Sequence, residues 1–325
     1  MNKDIAEKRL EEHNDVFADI FNNLLFDGKT VLKTDNLLSL PTESYSRDVD
    51  GTLHEYRCDI RKADQYHNQY RLICGIENQS NTDNTMPERI MGYDHAAYES
   101  QIKTIMAQNK AKEHSAYTKR IHNDQKLAPV ITAVLYWGDK EWTGPTKLHD
   151  MLDFPPEIES VIRPLVPDYP INLINIRRIP DKVRQKLTSD FGLIAEYLSR
   201  KRDPDRLEAL LRDNIRTINH PEEFLGLLSE ITNNYQYKTI ADKLKKEEEE
   251  HLTMCIVTDK LINEGVQQGL KQGLEQGLEQ GLEQGRLLLA KALMKDGYLN
   301  FEVIAKYLDM PVDTLQQKLN ELEKE

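Results

Sequence analysis

Asp59, Glu77 and Gln79 offer two carboxylates and an amide oxygen, hard donors of the kind that hold Mg²⁺ beside phosphates and water. The backbone between them decides whether they meet. Tyr56-Arg57-Cys58-Asp59-Ile60 and Tyr70-Arg71-Leu72-Ile73-Cys74-Gly75-Ile76 alternate or run apolar, as strands do, and the polar stretch 62–69 suits a hairpin connection. Two antiparallel strands joined there bring Asp59 beside Glu77. Side chains alternate along a strand, so Glu77 and Gln79 share a face while Asn78 takes the other. Acids at strand ends are commonly just solvated. Here Ile73, Cys74 and Ile76 carry the apolar pattern up to Glu77, so its carboxylate stands close to the core, where a charge needs a partner.

The positioning elements follow from periodicity. Residues 4–25 read as one amphipathic helix striped by Leu10, Val16, Phe17, Ile20, Phe21 and Leu24, with Asp27-Gly28 as its stop. Residues 36–40 fit a first strand ended by Pro41. Pro87 suits the first turn of a helix that runs past Met106. On it Arg89 and Tyr93 lie one turn apart, so Arg89 is placed to hold a phosphate, to orient a site carboxylate, or to form an ordinary ion pair. Residues 130–137 are apolar throughout and predict a central strand, and residues 172–176 a further one. From Asp181 onward the pattern is helical, broken at Pro204 and Pro221.

Composition excludes several classes. Of 325 residues, 30% are charged and 39% hydrophobic, and the net charge of −12 speaks against a protein that coats nucleic acid nonspecifically. Any DNA contact must come from local basic patches. Residues 103–126 carry six Lys/Arg against two acids, and residues 177–186 five basic residues against Asp181; either run is also what a solvated face looks like. Cys58, Cys74 and Cys255 have no metal-ligand spacing and point to a reducing compartment. The charged N-terminus lacks a signal-peptide stretch, and no run of 18 apolar residues occurs, so a cytoplasmic protein without a membrane span is expected.

Asp59, then Ile76-Glu77-Asn78-Gln79-Ser80, Met86-Pro87-Glu88-Arg89-Ile90-Met91-Gly92-Tyr93 and Tyr98, resembles the recombination-promoting nuclease family. Members are often labelled transposases and are placed in the PD-(D/E)XK nuclease superfamily. The resemblance continues through Pro129-Val130-Ile131-Thr132-Ala133-Val134-Leu135-Tyr136-Trp137-Gly138 and Trp142-Thr143-Gly144-Pro145 to Leu148, covering about the first half of the chain. It implies an α/β fold with a helix, three strands, helix, strand core, followed here by a mostly α-helical C-terminal half. The superfamily carries an acid on the second strand and Glu-x-Lys on the third; this family has Gln where that Lys stands, as at Gln79.

The implied activity is Mg²⁺-dependent (or other divalent-cation-dependent) endonucleolytic hydrolysis of DNA phosphodiesters, tied to recombination or mobile elements. Asp59, Glu77 and the Asn78 backbone carbonyl would hold the metal, and Gln79 would position water. The superfamily often adds an acid from the first helix, and Asp15, in an Asp-x-Phe-x-x-x-Phe setting, is the match here, although Ala18 stands where the family has Lys. The DNA-binding candidates are Arg89, Tyr93, Lys103, Lys110, Lys112, Lys119 and Arg120. DNA strand transfer and a non-catalytic relic that binds DNA or protein are the alternatives.

Three segments are expected: a nuclease-like domain over 1–178, a helical region over 179–262, and a repeat helix with a terminal helical module over 263–325. The repeat Gly-Leu-Glu-Gln places six glycines at four-residue steps from Gly265 to Gly285, with Leu270, Leu274, Leu278 and Leu282 beside them. A step of four advances about 40° beyond a full turn, so the leucine stripe winds around the helix. It suits either close helix association between subunits or a semi-flexible spacer. The acidic terminal helices favour an interaction module over a DNA reader, so a homo-oligomer through the C-terminal helices is expected.

Overall fold

A computed structural model describes residues 3–47, 53–112, 121–201, 203–247, 251–295, 297 and 300–321. The first helical stretch is α1 (Lys3–Glu11) and α2 (Asn14–Leu24), not the single helix its stripe predicts. His13 between them is extended, with ψ 133°. A long-range contact explains the break. The Lys62 ammonium, 2% exposed, donates to the Glu12 carbonyl at 2.6 Å and to Asn14 Oδ1 at 2.5 Å, while Asn14 Nδ2 donates to the Thr34 and Leu37 carbonyls. A buried cation on the last carbonyls of α1 completes that helix end better than a further turn would.

Strands β1 (Leu37–Ser39), β2 (Glu43–Arg47), β3 (Leu53–Arg57), β4 (Ile60–Tyr66) and β5 (Gln69–Gln79) follow, then α3 (Met86–Lys112) and β6 (Val130–Tyr136). After α4 (Glu159–Ile162) comes β7 (Asn172–Asn175). The sheet order is β1-β4-β5-β6-β7, with β1, β4 and β5 antiparallel and β5, β6 and β7 parallel, whereas β2 and β3 form a separate ribbon. The polar stretch 62–69 is therefore strand for most of its length. Only His67 and Asn68 turn, at φ 47° and 61°, the two positive values of a two-residue hairpin whose twist matches its strands. The alternation rule fails at Lys62 and Asp64 because both are buried with partners of their own, Lys62 on the α1 end and Asp64 on Arg71.

One sheet face packs on α3 through Cys58, Met86, Ile90, Tyr93, Val134 and Ile171. A Cβ on Gly75 would meet Thr132 Oγ1 at 3.0 Å, so glycine lets β5 lie against a Thr132 hydroxyl that donates to Asp94 of α3 at 2.5 Å. Ala6, Leu10, Val16, Phe17, Ile20 and Phe21 bury the inner sides of α1 and α2, and Trp137 meets Phe191 edge-on. The chain continues through α5 (Asp181–Arg184), α6 (Asp190–Arg200), α7 (Pro204–Asp213), α8 (Pro221–Thr232) and α9 (Gln236–Glu247). α1 packs on α6 and α8, so the sheet and these helices form one compact unit spanning residues 1–258.

Residues 259–325 form a second unit. It holds most of α10 (Met254–Lys295), then α11 (Phe301–Tyr307), capped by the Asn300 side chain accepting from Val303 N–H at 3.0 Å, and α12 (Val312–Glu321). Its own core is Leu287, Ala290, Ile304, Ala305, Leu315 and Leu319. No helix among the described residues is long and apolar enough to cross a membrane.

Candidate active site

The β4–β5 ladder pairs Ile60 with Ile76, which brings Asp59 opposite Glu77. Asp59 stands just outside the ladder. Its N–H donates to the Ile76 carbonyl at 3.1 Å, and its Oδ2 accepts from the Asn78 N–H at 2.7 Å, so the β5 backbone itself aims this carboxylate. Its Oδ1 lies 2.7 Å from Lys8 Nζ on α1, and Lys8 also reaches Asp4 at 2.9 Å. Burial alone would lower the Lys8 ammonium, but hydrogen bonds to Asp59 and Asp4 outweigh it and raise it.

Glu77 is 3% exposed. Its Oε1 accepts from Gln79 Nε2 at 2.9 Å and from Arg89 Nη2, while Oε2 is buried with no partner among the described residues. Burial, then the nearby Asp59 charge, pushes this carboxyl up to about 8 against the pull of Arg89. Arg89 also donates to Asp83 at 2.6 Å and to the Tyr93 hydroxyl at 2.7 Å. Burial works against its charge, but Glu77 prevails and holds the guanidinium protonated. Burial, then the Glu77 charge, pushes the Tyr93 phenol up to about 12.

On the other face of β5, Asn78 Nδ2 donates to Glu11 Oε2 at 2.6 Å and Asn78 Oδ1 accepts from Trp137 Nε1 at 2.7 Å. Glu11 is fully buried, its Oε1 has no partner among the described residues, and burial holds its carboxyl well above the usual range. One turn earlier, burial raises Glu7 to about 7; Lys3 Nζ, 3.3 Å away, forms an ion pair with it rather than a well-made hydrogen bond. Four carboxylates, from Glu7, Glu11, Asp59 and Glu77, thus lie about the end of β5, with Lys8 on Asp59 and Arg89 on Glu77. Carboxylates left partly unpaired in a dry site are strong acceptors for a divalent cation, which takes oxygen ligands and offsets several charges at once.

Asp15 lies elsewhere: its carboxylate accepts from His220 Nε2 at 2.8 Å. Asp19, on the same helix, caps residues 188–189 by accepting from the Ser189 N–H at 2.8 Å. Lys103 pairs with Glu99 at 2.9 Å, Lys110 is exposed, and Lys112 ends α3. At about 1.5 Å per residue these three lie about 21–35 Å along α3 from Arg89. Lys119 and Arg120 fall outside the described residues. In the second basic run, Arg177 pairs with Asp139 at 2.9 Å, Arg178 with Glu141, and Arg184 with Asp181 at 2.5 Å and Glu196 at 2.6 Å. Sequence reading overlooked Lys8, Glu7 and Glu11. The available signal was that Glu7 and Glu11 repeat at four residues directly beside the buried Ala6 and Leu10, too close to the apolar stripe for a solvated face.

The sequence model of a family described as "Putative transposase, YhgA-like" matches residues 8–220. No curated protein and no solved structure matches the chain.

Proposed function

The chain belongs to this family of transposase-like proteins, and from that premise we propose that it is a metal-dependent endonuclease that hydrolyses DNA phosphodiester bonds. The observation that carries the reading is the buried Glu77 Oε2, without a partner among the described residues, beside an Asp59 carboxylate that the β5 backbone aims. The order α1–α2, β1, β4, β5, α3, β6 supports it, since it follows the helix, three strands, helix, strand order that the sequence resemblance implies, with the β2–β3 ribbon inserted.

Asp59, Glu77 and the Asn78 backbone carbonyl would hold a divalent cation, and all-oxygen donors favour Mg²⁺. Such an ion would acidify water and offset negative charge on the phosphate. Gln79, whose amide donates to Glu77 Oε1, would orient the attacking water. Lys8 takes the part of the cation that Gln79 cannot supply, since its ammonium already stands 2.7 Å from Asp59 Oδ1. Arg89 and Tyr93 act on this reading by fixing the Glu77 carboxylate. Lys103, Lys110, Lys112, Lys119 and Arg120 would track the duplex backbone away from the cut. The second unit would pair chains through its leucine stripe, and the three free cysteines accord with a reducing cytoplasm.

The test is purified protein with supercoiled plasmid, with and without Mg²⁺ or EDTA, beside Asp59→Ala. Nicking or linearisation is expected, abolished by chelation and lowered by at least about 10³-fold in the variant. Full activity in Asp59→Ala rejects the site. The family description also favours a second chemistry, strand transfer, in which a DNA 3′-hydroxyl replaces water; joined products with a labelled donor duplex would identify it.

A further inference from the structure

The break between α1 and α2 brings a second group of potential ligands together, away from Glu77. One donor atom each from His13, Asp15 and His220 lies within 4.8 Å of the others, at the starts of α2 and α8. Glu223, in the first turn of α8, puts Oε2 3.7 Å from His13 Nε2. The two imidazoles stack at 3.6 Å between centroids, and Asp15 holds His220 Nε2 from the side at 2.8 Å. Arg9 is the opposing cation, 3.6 Å from Glu222 and 3.9 Å from Glu223.

We propose that His13, Asp15 and His220, with Glu223 in reach as a fourth ligand, form a transition-metal site of Zn²⁺ type, separate from the Asp59–Glu77 centre. Two imidazoles with one or two carboxylates are a borderline donor set, better matched to Zn²⁺ than to Mg²⁺ or Ca²⁺, which want oxygen alone. Tetrahedral bonds of about 2.0–2.1 Å put ligand atoms about 3.3 Å apart. The donors, now within 4.8 Å of one another, would close to that spacing by side-chain rotation on backbones that are anchored on both sides. Fully buried Asp190 accepts from the Asn219 and His220 N–H groups at 3.0 and 2.6 Å. Lys62 and Asn14 fix the His13 side. On binding, the metal would take the place of the hydrogen between His220 Nε2 and Asp15, and the neutral imidazole would carry its proton on Nδ1.

Such a site has a structural consequence. It ties the start of α2 to the start of α8, and so fixes the end of α1, the helix that presents Lys8, Glu7 and Glu11. Helix N-termini disfavour a bare cation, but the Asp15, Glu222 and Glu223 carboxylates in the same first turns reverse the local sign.

The decisive experiment is Zn²⁺ titration of the full chain after chelation, in an Asp59→Ala/Glu77→Ala background that removes the other carboxylate site. One equivalent is expected to bind and to raise the melting temperature. His220→Gln and Asp15→Asn should each weaken binding at least about tenfold. Substituted Co²⁺ should give the visible absorption of a four-coordinate site, lost in both variants. Should His220→Gln fail to fold in chelator by circular dichroism, Asp15→Asn and the Co²⁺ spectrum decide. No bound equivalent in the double-variant background, or equal affinity in Asp15→Asn, overturns the proposal. Because the readout is binding rather than cleavage, it stands or falls independently of the nuclease reading.

Discussion

The end of β5 and the repeat of α10 are built on opposite principles. At β5, residues from positions 8, 11, 59, 77 and 89 converge from distant elements, with Glu11 Oε1 and Glu77 Oε2 left without a partner among the described residues. Along the repeat, an added Cβ at any glycine from Gly265 to Gly285 would meet nothing within 4 Å, and Leu270, Leu274, Leu278 and Leu282 are 55–75% exposed. Identity matters at the first place because each side chain answers a distant one. In the second, only the spacing carries information, since each four-residue unit repeats the same local environment. Six glycines cost an isolated helix about 1 kcal/mol each relative to alanine, so the repeat gains firm order only by packing its leucines on something else.

The sharpest contrast comes from removing one cation in each region. Lys8→Met should lower metal-dependent cleavage about 10²-fold, the loss typical of one preorganised charge in a dry site, while Lys8→Arg retains part of the rate. Lys271→Met, whose exposed partner Glu275 sits 3.9 Å away, should leave cleavage unchanged. Single-turnover rates at saturating metal separate chemistry from binding. Equal rates in Lys8→Met and the parent chain would remove Lys8 from the mechanism.

These two regions also differ in how much of them is legible in the sequence. Asp59, Glu77 and Gln79 flank or end strands that read as a hairpin from their apolar runs, so their convergence follows from the pairing of those strands. Lys8, Glu7 and Glu11 are harder, because a charged helix position is ordinarily solvated and only the distant Asp59 and Asn78 give these three a purpose. The break at His13 is illegible locally: the apolar stripe runs straight through it, and the cause is a lysine nearly fifty residues later. Asp15 illustrates the same limit, for its helix position fits a site acid, yet the α1–α2 break turns it toward His220. The repeat reads correctly as a helix, but a helix pattern carries no statement of what packs against it.

A second way to break the contrast is to delete the repeat. Truncation after Asn263 should shift the protein toward monomer by light scattering while cleavage persists. If two active sites act on one duplex in the oligomer, the ratio of nicked to linear plasmid should rise. An unchanged oligomer mass would place the interface in the first unit and leave the leucine stripe as a spacer.

The smallest expected effect separates the regions by pH. Burial raises the Glu77 carboxyl from 4.5 to about 8 and Glu7 from 4.5 to about 7, and moves Glu11 the same way. An acid whose folded pKa lies above its unfolded value binds more protons when folded, so its favourable contribution is complete below about pH 4.5. That contribution is lost as pH rises from about 4.5 to 8. The metal-free protein should therefore lose melting temperature across this window, and each kcal/mol corresponds to about 2–4 °C in a unit of this size. A divalent cation stabilises the ionised carboxylates, so the rise in melting temperature on adding Mg²⁺ should be several degrees larger at pH 8 than at pH 6. Glu11→Gln keeps the hydrogen-bonding shape but removes one buried charge, and should flatten the fall in metal-free protein. Glu275→Gln in the exposed repeat should leave the curve unmoved. Parallel curves for the parent chain and Glu11→Gln, with the same Mg²⁺ increment at both pH values, would mean that these carboxylates are compensated in solution and do not form a cation site.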